Sequence, residues 1–252
     1  MKNISLKSII KDFQDSNFSL LFKTKMCNFL SKNGQLNDIY VKNEIVNSYS
    51  QYGEDLILDG ILEYKKRGFF IDIGANDPVI FNNTKRFYDR GWSGINIEPN
   101  PVLYKKFASQ RTRDINLNLG VGLNNQEMPF YLLSADTLSS FSKSDAKRNS
   151  ILFNERIIDI KNIQMVALSQ IFKDYSDNRN IDFISVDVEG YEMEVIKSND
   201  WTKYRPRLIL IEIAHNTMEI ISYLKNCEYE LVFKNSTNGI FLDSKKKVTA
   251  SE

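Results

Sequence analysis

The chain is expected to be an α/β protein built on a mostly parallel sheet, and three observations predict it. From Tyr49 onward, strand-like and helix-like patterns alternate, as they do along such sheets. Phe69-Phe70-Ile71-Asp72-Ile73-Gly74-Ala75-Asn76-Asp77 is a short apolar run that stops at Asp-x-Gly, the pattern of a buried parallel strand opening into a tight loop. The last two strand-like runs, parted by Asn235-Ser236-Thr237-Asn238-Gly239, read as an antiparallel hairpin.

The elements follow in order. A helix is expected over 53–65, then strand 69–73, helix 82–90, strand 94–98 and helix 101–109. Next come strand 115–121, an added strand at 128–133, a polar stretch 134–150 left without assignment, and helix 168–175. The series closes with strand 181–187, helix 191–198, strand 207–213, helix 216–225 and strands 229–234 and 238–243. Arg207-Leu208-Ile209-Leu210-Ile211-Glu212 is a continuous apolar run after a proline, as a central strand buried on both faces requires. Ahead of this domain, residues 1–45 are rich in lysine and asparagine, with Ile4, Ile9, Ile10, Phe13, Leu21, Phe22, Phe29 and Leu30 in roughly helical steps. Residues 1–48 are therefore expected to form a helical extension, packed on the main domain or serving as a lid or oligomerisation arm, and 49–252 the main domain.

Composition narrows the class. At 252 residues, 42% of them hydrophobic and 26% charged, the chain suits one sizeable globular domain with additions. Lys+Arg number 33 against 32 Asp+Glu, which removes the basic footprint of a nonspecific nucleic-acid binder. Cys27 and Cys227 lack metal-type spacing and fit two reduced thiols, pointing to a cytoplasmic protein. No apolar stretch approaches the ~20 residues of a membrane span, and no signal-type apolar core follows the amino-terminal lysines.

Several strands finish on an acid. Asp72 ends the first and Glu98 the second, near the ~20-residue spacing at which an acid meets a ribose in nucleotide-binding sheets. Gly74 lets backbone approach a ligand, since no Cβ intervenes. Asp187 ends a third strand and Glu212 stands near the end of a fourth, and ligands of open α/β sheets bind beyond such ends. An adenosine-bearing ligand is expected there. Gly74-Ala75-Asn76 lacks the later glycines of G-x-G-x-x-G, which counts against NAD.

Taken together, Tyr49-Ser50-Gln51-Tyr52-Gly53-Glu54-Asp55, the loop from Asp72 to Pro78, Gly91-Trp92-x-Gly94-Ile95, Glu98-Pro99-Asn100-Pro101, Asp187-Val188-Glu189-Gly190-Tyr191-Glu192 and Thr237-Asn238-Gly239-Ile240-Phe241 resemble the FkbM family of S-adenosylmethionine-dependent methyltransferases. Six blocks in the family's order, from about residue 49 to 243, carry the resemblance. It implies a Rossmann-like class I methyltransferase fold, with a seven-stranded, mostly parallel sheet and a C-terminal antiparallel hairpin. It implies S-adenosyl-L-methionine as cofactor, its methionine part against Asp72, Gly74, Ala75 and Asn76 and its ribose hydroxyls on Glu98. Gln51 and Glu54, in the motif that opens the family's domain, are expected to line the site.

The acceptor that the family implies is a hydroxyl, here expected on a nucleotide-activated sugar or a capsule or lipopolysaccharide precursor. Hydroxyls of another natural product, a lipid or a protein stand as the alternative, with a non-catalytic adenosine-binding module as a further one. A hydroxyl is a poor nucleophile at neutral pH and needs a base or a cation. His215, the single histidine of the chain, follows Glu212 closely, and Asp187 is expected on the adjacent strand. Asp187, Glu212 and His215 are accordingly candidates for catalysis and for a divalent ion, magnesium or manganese, by analogy with sugar methyltransferases of this broad fold. His215 equally reads as a metal-free base oriented by Asp187 or Glu212, or as a residue that merely opens a helix. The hydroxyl-rich run from Asp136 to Ser142 could face the acceptor or lie on the surface; Phe81, Phe87, Tyr88 and Trp92 read as packing, Tyr191 as either packing or site, and Asn82-Asn83-Thr84 as a helix cap. A homo-oligomer is compatible with all of this.

Overall fold

The computed structural model describes residues 48–246 apart from 124 and 178. The helical extension expected over residues 1–48 therefore lies outside the described residues, save for its last position.

Seven strands form the main sheet: β1 (Phe69–Ile73), β2 (Ser93–Ile97), β3 (Ile115–Leu117), β7 (Phe183–Val186), β8 (Leu208–Glu212), β9 (Tyr229–Lys234) and β10 (Asn238–Asp243). Their spatial order is β3-β2-β1-β7-β8-β10-β9. All neighbours run parallel except β10, which is antiparallel to both β8 and β9. The final hairpin thus inserts its second strand beside β8 and leaves its first at the edge. Asn235 builds the turn, with its side-chain oxygen accepting from the Thr237 and Asn238 amides at 2.9 and 2.6 Å.

Strand composition explains why the sheet is covered on both sides. Every residue of β1 is buried, with Phe69, Ile71 and Ile73 in one apolar cluster and Phe70 in another. Alternation along a strand sends successive side chains to opposite faces, so a run apolar throughout needs a cover on each. On one face Phe87, Trp92 and Phe183 meet with ring centroids 4.8–6.2 Å apart, and the Trp92 indole N–H reaches the Lys65 carbonyl at 3.0 Å. On the other, the helix α5 (Leu168–Tyr175) buries Leu168, Ile171 and Phe172.

Chain order reverses at β1, where β2 lies to one side and β7 to the other. A crevice opens beyond the strand ends at such a switch point. Asp72, Glu98 and Asp187 are delivered to this rim by β1, β2 and β7, and Glu212 by β8.

Most expected elements end within a residue or two of the observed ones. The expected helix 53–65 stops at Ile61, and the expected helix 82–90 begins at Lys85. Three segments differ more. The expected strand 115–121 is two: Ile115–Leu117 joins the main sheet, while β4 (Gly120–Val121) pairs with β6 (Ile157–Val166) in a separate three-stranded sheet of order β4-β6-β5, where β5 is Glu127–Leu133. Asn118 marks the departure, donating to the carbonyls of Glu98 and Pro99 at 2.8 and 2.9 Å. β6 itself was not anticipated, because Asp159, Lys161 and Asn162 interrupt its apolar pattern and its first six residues are exposed. The polar stretch holds the helix α4 (Lys143–Leu152), capped by Ser142 on the Asp145 amide at 3.2 Å. It has almost no apolar stripe, which is why periodicity misses it.

Candidate active site

A cavity of about 430 Å³ occupies the crevice, within the range of ligand sites. Every residue picked out from the sequence as a site candidate lines it: Gln51, Glu54, Asp72, Gly74, Ala75, Asn76 and Glu98, with Asp187, Glu212 and His215.

Asp72 sits at the end of β1 with only 4% of its surface exposed. Its Oδ2 accepts from the Thr84 hydroxyl at 2.9 Å and from the Asn82 amide at 3.4 Å. Asn82 also donates to the Ala75 carbonyl at 3.2 Å and accepts from the Thr84 amide and from Arg111. Asn82 and Thr84 therefore do more than open a helix: they hold the acid and its loop. Burial pushes Asp72 up to about 6, against those donors and the Arg111 charge.

Gly74 is required for a reason beyond the one expected. Its φ is +77°, and a Cβ there would lie 1.8 Å from the Asp187 carbonyl oxygen. The glycine thus lets the β1 and β7 loops touch at the wall of the cavity. Gly74→Ala is expected to lose about 3 kcal/mol or more of stability, from left-handed strain together with that overlap. Denaturant unfolding measures it, and a midpoint equal to the parent's would refute this reading.

Glu98 is 5% exposed, and each carboxylate oxygen takes one backbone amide: Asn76 at 2.7 Å and Asn100 at 2.7 Å. One lone pair per oxygen remains for a ligand, which suits a cis-diol of hydroxyl donors. Burial pushes Glu98 up to about 8, with Asp136 and Asp72 adding to the rise. Glu54 is more structural than foreseen. Its Oε1 accepts from Asn235 and Asn238 at 3.0 and 2.8 Å and its Oε2 from the Tyr52 amide at 2.9 Å, so it ties the opening motif to the closing hairpin. Gln51 is exposed at the cavity wall.

The far side of the cavity concentrates acid. Glu189, Glu212 and His215 each offer a ligand atom within 4.8 Å of the others, and so do Asp187, Glu192 and Glu212. Glu212 joins the two groups; Asp187 and His215, paired in the sequence reading, fall in different ones. Glu189 and Glu192 were missed, though both stand in the Asp187–Glu192 motif that carried the resemblance. Glu192 accepts from the Val188 and Gly190 amides at 3.1 Å each through Oε1, yet its Oε2, like that of Glu212, is buried without a hydrogen-bond partner. Burial, with the charges of Asp187 and Glu192, pushes Glu189 up to about 9 and Glu212 up to about 10. Burial and the charges of Glu192, Asp72 and Glu54 bring Asp187 to about 7; its side chain is open to cavity solvent, so the like charges are the firmer cause.

His215 takes its own position between charges. Arg148 lies 2.9 Å from Nδ1, and a guanidinium can only donate, so Nδ1 accepts and the ring proton is on Nε2. Nε2 faces Glu212 at 3.8 Å. Arg148 also pairs with Asp145 at 2.8 Å.

The loop after β5 resolves in favour of the cavity. Asp136, Thr137, Leu138 and Phe141 line it, and Asp136 accepts from Asn100 at 3.0 Å. Tyr191 does both things asked of it, lining the cavity and packing on Phe141 with centroids 5.9 Å apart. Phe87 and Trp92 are core, but Phe81 is not: it is 61% exposed, has φ +52° and stands at the cavity wall. The left-handed turn after Pro78 swings it outward. Tyr88 is half-buried, under the Arg111 and Arg113 guanidiniums.

A seven-stranded sheet with one antiparallel strand, opening at its switch point onto a cavity walled by strand-end acids, defines a class I methyltransferase. The sequence matches the methyltransferase FkbM domain over residues 72–231, and the chain belongs to that family of methyltransferases. Among solved structures, a Staphylococcus aureus protein provisionally described as a caffeoyl-CoA O-methyltransferase is 12% identical, with a TM-score of 0.39 over 94% of this chain and 98% of the other. The METTL16 methyltransferase domain is 15% identical, with a TM-score of 0.41 over 94% and 89%. Likeness this distant says nothing of substrate. No curated protein matches the sequence. Among the described residues no helix is long and apolar enough to cross a membrane, and Cys227 is a free thiol.

Proposed function

We propose that residues 49–252 form a cytoplasmic O-methyltransferase domain that transfers the methyl group of S-adenosylmethionine to a sugar hydroxyl, on a nucleotide-activated sugar or a surface-polysaccharide precursor. One observation carries the reading: a single cavity holds the Asp72–Glu98 pair on one side and the Asp187–Glu212–His215 acids and imidazole on the other.

The residues present fit the cofactor. Glu98 keeps a free lone pair on each oxygen for two ribose hydroxyls, and Asp72 is an acceptor for the ammonium of the methionine part. When bound, the sulfonium supplies a methyl group that is already electrophilic. The chain then has to orient the acceptor oxygen and take its proton; orientation alone lowers such barriers by ~7 kcal/mol or more. Asp187 reaches the cavity solvent and can hold or receive that proton on a carboxylate oxygen. A polyhydroxy acceptor suits a wall that offers carboxylates, the His215 Nε2–H and the amide of Asn238 together.

A divalent ion is part of the proposal. Glu192 and Glu212 keep buried, unpartnered oxygens within one cluster, an arrangement that a cation would satisfy. Oxygen-rich sites of this kind suit magnesium or manganese. Glu212 would hold it, together with Asp187 and Glu192 or with Glu189 and His215, and it would act as a Lewis acid on a bound hydroxyl. Binding through His215 Nε2 requires the ring proton on Nδ1, hence release of Arg148. The metal-free alternative rests on that same Arg148 contact, which supplies local positive charge without an ion.

Incubation with methyl-labelled cofactor and a panel of nucleotide sugars, glycans, lipids and peptides tests the acceptor. Label on sugars is expected; label confined to peptide or lipid would refute the sugar reading, and none on any acceptor while S-adenosylhomocysteine still binds would favour a binding module. Exhaustive chelation is expected to remove at least 90% of turnover, roughly the tenfold that ~1.4 kcal/mol represents, and added magnesium or manganese to restore it. Full turnover in excess chelator, with metal removal verified, would exclude the ion.

A further inference from the structure

We propose that a second copy of this chain pairs with the open edge of β6, joining the two three-stranded sheets across a two-fold axis centred on Ile160.

β6 has β5 on one side along most of its length, but on the other side β4 reaches only Met165 and Val166. Among the described residues nothing pairs with positions 157–163 on that side. The backbone there is aimed outward. Opposite Ile160 stands Tyr131, whose amide and carbonyl both go to Ser140, at 2.9 and 3.2 Å. The Ile160 amide and carbonyl consequently face away from β5. The amide finds only the Asp159 side chain, at 2.8 Å.

Long exposed edges are commonly shielded by charged side chains, by proline, by bulges or by a covering element. β6 has Asp159 and Lys161 and a register shift opposite Leu132 and Leu133, but no proline. Here Ile157, Ile158 and Ile160 are 37%, 61% and 53% exposed, and Ile151, Leu152 and Phe153 just before them 80%, 67% and 58%. Six large apolar side chains open to water within ten positions mark a surface with a partner.

Charge order identifies that partner as another copy. Asp159 and Lys161 share one face of the strand and pair with each other at 2.7 Å, both half exposed. An antiparallel two-fold at Ile160 sets Asp159 of each protomer opposite Lys161 of its partner, twice, while Ile160 meets Ile160. The outward-facing Ile160 amide and carbonyl then form the hydrogen-bonded pair at the axis, with the Ile158 and Asn162 pairs flanking it. Asp159 and Lys161 fall at the non-hydrogen-bonded pairs, where facing side chains come closest. A register shifted by one residue would lose both opposite-charge pairs.

Sedimentation equilibrium on the full chain tests the pairing, with circular dichroism melting as the check on folding. The parent protein is expected to be a dimer. D159K sets lysine against lysine and K161D sets aspartate against aspartate, and each is expected to weaken self-association about tenfold. The double variant D159K/K161D is expected to recover it, since the opposite charges are restored in reverse. Ile160→Pro deletes an outward N–H without touching the β5 ladder and is expected to yield monomer. A monomeric parent, single variants that assemble like the parent, or a double variant that stays weakened would each overturn the proposal. So would a dimer unmoved by Ile160→Pro.

Discussion

Glu98→Gln is expected to weaken binding of S-adenosylhomocysteine about a hundredfold or more, measured by titration calorimetry. Glu98 lines the cavity with each of its two carboxylate oxygens anchored on a backbone amide, at 2.7 Å apiece. A hydrogen bond to a charged acceptor contributes ~1.5–3 kcal/mol, and glutamine keeps one acceptor, without charge. The wild-type affinity should also depend on pH. Burial raises Glu98 to about 8, while hydroxyl donors favour its ionised form, so affinity falls as pH drops below that value, towards tenfold per unit. Above it the affinity levels off. Glu98→Gln should remove the slope. The stability of the free protein runs the other way. Its protonated Glu98 contributes fully below the unfolded value near 4.5 and progressively less as pH rises towards 8. A wild-type affinity flat from pH 6 to 9, or a variant that binds like the parent, would remove Glu98 from the cofactor site.

Asp187→Ala is the second large effect: a fall in kcat of about 10²–10⁴, the range associated with loss of a positioned proton acceptor, with S-adenosylhomocysteine affinity within a few-fold of the parent's. Asp187 sits where the cofactor loop meets the acid cluster. Its carbonyl lies against Gly74, while its carboxylate opens into the cavity and belongs with Glu192 and Glu212. Removing the carboxylate leaves the backbone contact in place, so folding and cofactor binding should survive. Glu212→Ala is expected to show the same split. Loss of cofactor binding along with turnover would assign Asp187 to the architecture of the loop, and unchanged turnover would take it out of the chemistry.

How far the sequence could be read depended on the kind of signal each residue left. Asp72, Glu98, Asp187 and Glu212 were legible because an apolar strand that stops at an acid announces both its direction and its tip. Glu189 and Glu192 stood in a recognised block but carried no sign of their own, because an acid beside a glycine looks like any solvated loop and an acid in a helix's first turn like an ordinary end charge. Their convergence with Glu212 follows from β7 and β8 being neighbours, together with a positive φ of 52° at Glu189. Arg148 was invisible for a similar reason: it belongs to a helix with scarcely any apolar stripe, 67 positions away from His215. Phe81 misled, since an aromatic residue ordinarily signals packing and only the backbone turn shows that it faces outward.

The chain's own pattern determined the strand and helix alternation, the closing hairpin and the family, because these rest on local periodicity and on contiguous motifs. Which face each acid finally presents, why Gly74 must be glycine, where the polar stretch between β5 and β6 belongs, and which edge remains open were decided only in three dimensions. The physical reason is that burial, orphaned oxygens and unpaired amides are properties of what surrounds a residue, and those surroundings are assembled from segments that are remote along the chain.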